Sequence, residues 1–243
     1  MKVHVRTERI QVPSGSETLA GLVHLPHRAH GCAVLSHGLL SAKDSPKLRL
    51  LAAHLAACGL AALRYDHRGC GESTGELGCT TVASRLEDLA SVVRFAREHP
   101  ALPRRIALVG SSMGGFISLL TAAADPGVEA VVLWATPAFL TRVPRGVAGL
   151  PDPPPGFLAD RKDYDLRREA PRVRNCLILH GARDELVPSA HARWIYRAAA
   201  PPRGLRIFSA GDHKFSAPPL RRRAARLTGR WLLRHLGAAR RGP

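Results

Sequence analysis

The chain is poor in several things, and each shortage excludes a class of protein. Its five cysteines, Cys32, Cys58, Cys70, Cys79 and Cys176, form an odd set with no C-x-x-C pair in 243 residues. That argues against a disulfide framework and a zinc site, and leaves cysteine as a small buried hydrophobe. The opening MKVHVRTERIQVPSG alternates charged and apolar residues and lacks the apolar core of a secretory signal. The uncharged stretch 50–63 is interrupted by His54 and Gly59 and is too short to span a bilayer. The sequence is therefore expected to be soluble and cytoplasmic, with no membrane span. No internal repeat or long low-complexity tract divides it, so it reads as a single domain over 1–243.

Acidic residues are also scarce: 19 against 36 basic ones, a formal charge of +17. Arginine supplies 31 of the 36, scattered along the chain, and ten of these lie after residue 200. In that tail Leu220, Ala224, Leu227 and Trp231 recur at helical spacing with arginines between them. A helix packing an apolar stripe on a core, with a solvated basic face, explains the pattern. No groove-reading motif accompanies the charge, so no specific nucleic-acid partner is expected. The sequence leaves a homodimer open.

What the chain does have is alternation. Two extended segments flank PSGSE between residues 3 and 26 and predict an antiparallel hairpin. After it, GCAVLSHG, LAALRYD, RRIALVG, VEAVVLWAT, NCLILHG and LRIFSAG read as buried strands. Stretches 46–58, 81–99, 113–124, 189–200 and 219–236 read as helices between or after them. The fold class is α/β, a mostly parallel sheet covered on both faces, with ligand sites at the carboxyl ends of its strands. One interval, 137–170, breaks the alternation with six prolines and with Phe139, Leu140, Leu150, Phe157 and Tyr164 interspersed. It starts just past a strand end, and a long structure-poor insertion there reads as a small cap over the site.

Two G-x-S-x-G matches compete for a nucleophile. Gly110-Ser111-Ser112-Met113-Gly114 follows the strand-like RRIALV and runs straight into a helical stretch that Asp125-Pro126 stops. A nucleophile elbow needs this tight strand-to-helix turn, which exposes the hydroxyl and aims backbone N–H groups at developing negative charge. In Gly71-Glu72-Ser73-Thr74-Gly75 the strand ends near Tyr65 and turn residues lie on both sides, so Ser73 reads as a loop serine.

A serine needs a base, and the base an orienting acid. Where the nucleophile sits on such an elbow, acid and histidine follow it in that order. Of twelve histidines only His213, in SAGDHKF, lies in the turn after the last strand. His4 and His24 fall in strand patterns, and His54, His191 and His235 in helices. NCLILHG ends at Gly181, which places Asp184 in the loop where the acid belongs; Glu185 is its neighbouring competitor. Asp212 adjoins His213, where side chains diverge. For the oxyanion, backbone N–H groups are expected from Met113, after the nucleophile, and from Leu39, following His37-Gly38.

With these residues in place, the chain resembles the α/β-hydrolase superfamily over essentially its whole length. It is most similar to the small branch holding serine aminopeptidase-like hydrolases, acylglycerol lipases and bacterial feruloyl (cinnamoyl) esterases. The likeness rests on His37-Gly38, on Asp66-His67-Arg68-Gly69-Cys70-Gly71-Glu72-Ser73, similar to that branch's D-x-R-G-x-G-x-S turn, on 110–115 and on 180–188. It implies eight strands, the second antiparallel, a short cap after the sixth, and a structural role for Ser73. Serine at 112 argues against dienelactone hydrolase activity, which uses cysteine.

The activity expected is hydrolysis of small-molecule carboxylic esters with modest acyl or aryl groups, through Ser112, His213 and Asp184, with no metal or organic cofactor. Thioester and amide hydrolysis use the same groups. Arg142, Arg145 and Arg161 in the cap would suit an anionic carrier, while no acidic cluster there suits a peptide amino terminus. The reading from another class is a non-catalytic binding protein on the same fold.

Overall fold

The computed structural model describes residues 4–140, 152–161 and 164–236. Eight strands, β1 (Val5–Ser14), β2 (Glu17–Pro26), β3 (Cys32–Ser36), β4 (Ala61–Tyr65), β5 (Ile106–Ser111), β6 (Val128–Trp134), β7 (Cys176–Gly181) and β8 (Arg203–Phe208), form one sheet in the order β1-β2-β4-β3-β5-β6-β7-β8. β2 runs antiparallel to both of its neighbours and every other pairing is parallel. This is the α/β-hydrolase sheet that the resemblance implies.

The inner strands read as unbroken apolar runs because both of their faces are buried. Along β3, Cys32 and Val34 join one core while Ala33 and Leu35 join the other. Side chains of period two point alternately up and down, so a strand between two helical layers must be apolar at every position. On one face lie α2 (Val82–Glu98), α3 (Met113–Ala124) and α6 (Ala190–Ala198); on the other lie α1 (Pro46–Ala57) and α7 (Pro218–Leu236). Each fully buried Leu or Val contributes about 1.5–3 kcal/mol. No helix among the described residues is long and apolar enough to cross a membrane.

The helices start where their caps allow. Ser45 accepts from Leu48 N, with Pro46 at the first position of α1. Thr81 and Ser84 close a reciprocal capping box on α2, both bonds 2.9 Å. The Asp160 carboxylate also accepts from Val82 N and Ala83 N, at 3.0 and 2.8 Å. A carboxylate at that end of α2 meets its positive dipole and ties the segment between β6 and β7 to the body. Among its described residues that segment contributes two four-residue helices, α4 (Phe157–Asp160) and α5 (Leu166–Glu169), and an antiparallel bridge from Phe139 to Asp165. Leu150, Arg142 and Arg145 lie outside the described residues.

The expected stripe of α7, Leu220, Ala224, Leu227 and Trp231, does pack on the core, and the structure adds to it. The buried face of α7 is carried by Ala224, Ala225, Thr228, Gly229, Leu232 and Leu236, while Leu220, Leu227 and Trp231 flank it, partly buried. The physical reason is close packing on α1: small residues let the two helices approach, so burial follows size rather than hydrophobicity. Trp231 instead donates its indole N–H to the Asn175 carbonyl at 2.8 Å.

Candidate active site

Strand order reverses between β3 and β5, whose exits therefore flank an open crevice. Ser112 stands at the β5 exit with φ +55° and ψ −119°, a conformation uncommon outside glycine. Such strain costs on the order of 1–3 kcal/mol and persists only where the surroundings over-determine it. Here Ser112 N donates to Trp134 O at 2.8 Å, and Ser112 O accepts from Phe116 N at 3.1 Å. The flanking glycines are dictated by close approach: a Cβ on Gly110 would strike the Gly114 backbone, and one on Gly114 the Ser36 carbonyl.

The β7 and β8 exits are laced together. Ala182 N donates to Phe208 O at 2.8 Å and Arg183 N to Gly211 O at 2.9 Å. This lacing brings the His213 Nδ1 within 2.9 and 3.0 Å of the two Asp184 oxygens. Asp184 also accepts from Leu186 N at 3.0 Å and Val187 N at 2.8 Å, and His180 Nε2 lies 3.2 Å from its other oxygen. Burial pushes the Asp184 carboxyl up, but the bonds from His180, His213 and Val187 N outweigh it and hold the pKa well below the usual carboxylate range. Asp184 is therefore an anion locked against one ring nitrogen of His213. Glu185 takes the His213 backbone N–H at 3.1 Å, and Asp212 accepts from Ser216 N at 2.7 Å, so neither competitor reaches the imidazole.

The β3 exit carries the loop expected to supply an oxyanion donor. His37 Nδ1 donates to Gly38 O at 2.7 Å, and His37 Nε2 accepts from His67 N at 3.0 Å, a neutral ring with both nitrogens engaged. Burial holds the His37 pKa well below its ordinary value. From α2, the fully buried Arg85 guanidinium grips the same loop, donating to Leu39 O at 2.9 Å and Gly38 O at 3.5 Å. With their carbonyls fixed from behind, the peptide units of 38 and 39 have one orientation available.

Leu39, Ser112, Met113 and His213 all line one cavity of about 820 Å³, with Asp184 behind His213. Leu140, Phe139, Pro153, Phe157 and Val187 give one side an apolar wall. Ser73, by contrast, is bound into its turn, donating to Asp66 O at 2.7 Å and accepting from Ala20 N at 2.9 Å. His191 is in the cavity wall, but its Nδ1 accepts from Ala138 N at 2.9 Å. Among the described residues no group of His, Cys, Asp and Glu could hold a metal ion.

Sequence reasoning missed Arg85, His180, Lys47 and Arg221. Lys47 and Arg221 line the cavity, and Lys47 donates to Ser111 Oγ at 2.8 Å, beside the elbow. The one signal that could have singled out Lys47 is the rarity of lysine: five residues in a chain with 31 arginines.

The chain matches the family model described as Serine aminopeptidase, S33, over residues 27–152. The matched stretch holds His37, the turn at 66–73 and Ser112, and stops short of Asp184 and His213. Over 110 residues the chain is 34% identical to the monoacylglycerol lipase of Mycolicibacterium smegmatis, covering 44% of this chain and 38% of that one. It spans between 36% and 51% of the length of the first curated relatives it matches. Among solved structures, Est1E from Butyrivibrio proteoclasticus, bound to ferulic acid, superposes with TM-score 0.83 at 16% identity, over 94% of this chain and 100% of that one. The Pyrococcus furiosus esterase Pf2001 does so at TM-score 0.81 and 19% identity, over 96% and 94%. At these identities the likeness speaks for the fold alone.

Proposed function

Because the chain belongs to the serine aminopeptidase S33 family of α/β hydrolases, we propose that it is a serine hydrolase cleaving carboxylic esters of modest acyl or aryl groups. The observation that carries this reading is a strained Ser112 sharing a cavity with an imidazole whose far nitrogen is held by an ionised Asp184. In this reading His213 Nε2 takes the proton of Ser112 Oγ as the oxygen attacks the ester carbonyl carbon. Asp184 holds the ring and stabilises its cation. The oxyanion is received by the N–H groups of Leu39 and Met113, each donor contributing on the order of 3 kcal/mol. His213 then protonates the departing alkoxide, leaving an acyl group on Ser112. Water, deprotonated by His213, attacks that acyl carbon and frees the acid and the serine. The inserted segment 137–170 acts as a short cap whose apolar side chains receive the organic part of the substrate.

The family's description and the relatives' names suggest different bonds, and one observation favours the ester. A peptidase that binds a free amino terminus needs a carboxylate in its cavity. Among the described residues no aspartate or glutamate lines this one. The test is a panel of 4-nitrophenyl esters from acetate to decanoate, run beside an acyl coenzyme A and an aminoacyl 4-nitroanilide. Turnover is expected on the short and medium esters. Turnover confined to the anilide would reassign the chain as a peptidase, and none at all would favour a binding protein.

A further inference from the structure

The cavity is lopsided in charge. Among the described residues its cap side is apolar, whereas the side formed by the starts of α1 and α7 and the β8–α7 loop presents Lys47, Lys214 and Arg221. From this we infer an anion subsite beside His213: the ester's alcohol part bears an anionic group, a carboxylate or a phosphate, which these three cations receive. The inference rests on the esterase reading above and narrows its substrate class.

Three observations support it. First, none of the three cations forms an ion pair among the described residues. Lys47 Nζ donates to two uncharged acceptors, Ser111 Oγ at 2.8 Å and His213 O at 3.3 Å. Arg221 donates to the Phe215 and Ser216 carbonyls at 3.0 and 3.1 Å. Second, the carboxylates whose fields reach Lys47 already have partners: Asp184 holds His213, Asp212 accepts from Ser216 N, and Glu185 accepts from His213 N. A desolvated ammonium without a contacting counter-ion is costly, and an arriving anion supplies the missing partner. Third, the chain's general basicity does not account for the site. The surplus is arginine, yet two of only five lysines line this cavity, and Lys43 is committed to Asp66 and Glu72.

The alcohol side follows from the mechanism. His213 delivers its proton to the departing oxygen, so the leaving group lies against His213 and next to the cations. The acyl group then takes the apolar side. Burial, aided by the charge of Arg221 and opposed by Asp184, Asp212 and Glu185, lowers the Lys47 pKa to about 8. The subsite therefore loses charge in the mildly alkaline range.

The test compares butyrate esters of 4-hydroxybenzoate, of 4-hydroxyphenyl phosphate and of methyl 4-hydroxybenzoate, the last neutral. The first two distinguish carboxylate from phosphate. At pH 7 the wild type is expected to favour at least one anionic ester over the neutral one by about tenfold or more in kcat/KM, mainly through KM. Lys47→Met should cut that ratio about tenfold, Lys214→Met and Arg221→Gln less, and raising the pH to 9.5 should shrink it in the wild type. A ratio of one or less in the wild type, with all esters hydrolysed, overturns the subsite and leaves the hydrolase reading standing. If no ester is hydrolysed, the hydrolase reading fails first. The subsite is then decided by calorimetric titration with 4-hydroxybenzoate and its methyl ester, where equal or absent binding overturns it.

Discussion

Among the described residues two sets of serine, histidine and aspartate stand out, and one of them opens on a cavity. In the interior, Ser36 Oγ lies 2.9 Å from His67 Nε2, and His67 Nδ1 lies 3.3 Å from Asp88 Oδ2. At the cavity, Asp184 holds His213 in the same way, both side chains buried, and Ser112 lines the same cavity as that histidine. The residue types are identical; what differs is that Ser112 and His213 line a cavity while Ser36 and His67 do not. Ser36, His67 and Asp88 are fully buried and saturated: Tyr65 OH lies 3.1 Å from His67 Nε2, and Asp88 also takes Ser14 Oγ, Arg68 N and Arg68 Nε. Ser36 ends an ordinary strand, whereas Ser112 occupies a left-handed backbone position. A serine, a histidine and an aspartate in contact do not make a catalyst. In the proposed function, access to the cavity and a strained, half-buried serine make the difference, and the inner set braces the loop at 37–39 through His37 and His67 N.

The comparison can be broken most forcefully at the two serines. Ser112→Ala should lower kcat by about 10⁴-fold or more with the thermal midpoint little changed. Ser36→Ala should do the reverse, costing about 1–3 kcal/mol of stability as buried polar partners are stranded, with a far smaller effect on turnover. Matched kinetics and denaturant unfolding of both variants decide it; equal losses of rate would contradict the division of labour.

The aspartates sharpen it next. Removing Asp88 as Asp88→Ala leaves the Arg68 guanidinium without its buried partner and should cost about 3–5 kcal/mol in urea unfolding. Asp184→Asn should instead appear in the rate, about 10⁴-fold in kcat. A stable Asp88→Ala protein would refute the bracing role.

Titration offers a third contrast. Burial, with help from Arg85, lowers the His67 pKa to about 4 from the ordinary 6.5, against the pull of Asp88. A depressed histidine pKa means that the unfolded chain binds the proton first as pH falls. The stabilisation is therefore complete above about pH 6.5 and drains away toward pH 4, by roughly 3 kcal/mol. Urea midpoints at pH 7.5 and 4.5 measure this, and His67→Gln should flatten the slope; an unchanged slope would remove His67 from the account.

The smallest effect is expected at the joint between the two sets. Arg85→Met frees the Leu39 carbonyl and leaves Gly38 O to His37 alone, and kcat should fall about tenfold to a hundredfold with KM little affected, because only the loop that meets the developing charge is loosened. A change confined to stability would make Arg85 purely structural.

The parts of the site that stand at strand exits were legible in the sequence. Ser112 directly follows an apolar run, Asp184 and His213 follow theirs by a few turn residues, and parallel topology puts such positions on one rim. The parts that depend on side chains crossing between elements were not legible. Arg85 reaches from the first turn of α2 under a distant loop, and Lys47 turns inward from the first turn of α1, with nothing in the local pattern to mark either. His67 and Asp88 lie in a turn and a helix whose packing joins them only in three dimensions. The stripe of α7 packs on the core as its spacing indicates, but it was incomplete for a related reason, since Ala225 and Gly229 are buried by tight packing that hydrophobic spacing does not encode.

Labelling the wild-type protein with a fluorophosphonate and mapping the adduct by peptide mass spectrometry asks whether, of the two Ser-His-Asp sets, the one at the cavity alone reacts. The account predicts a single adduct on Ser112, abolished in Asp184→Ala, with Ser36 and Ser73 untouched. An unlabelled protein, or an adduct on any other serine, would contradict it.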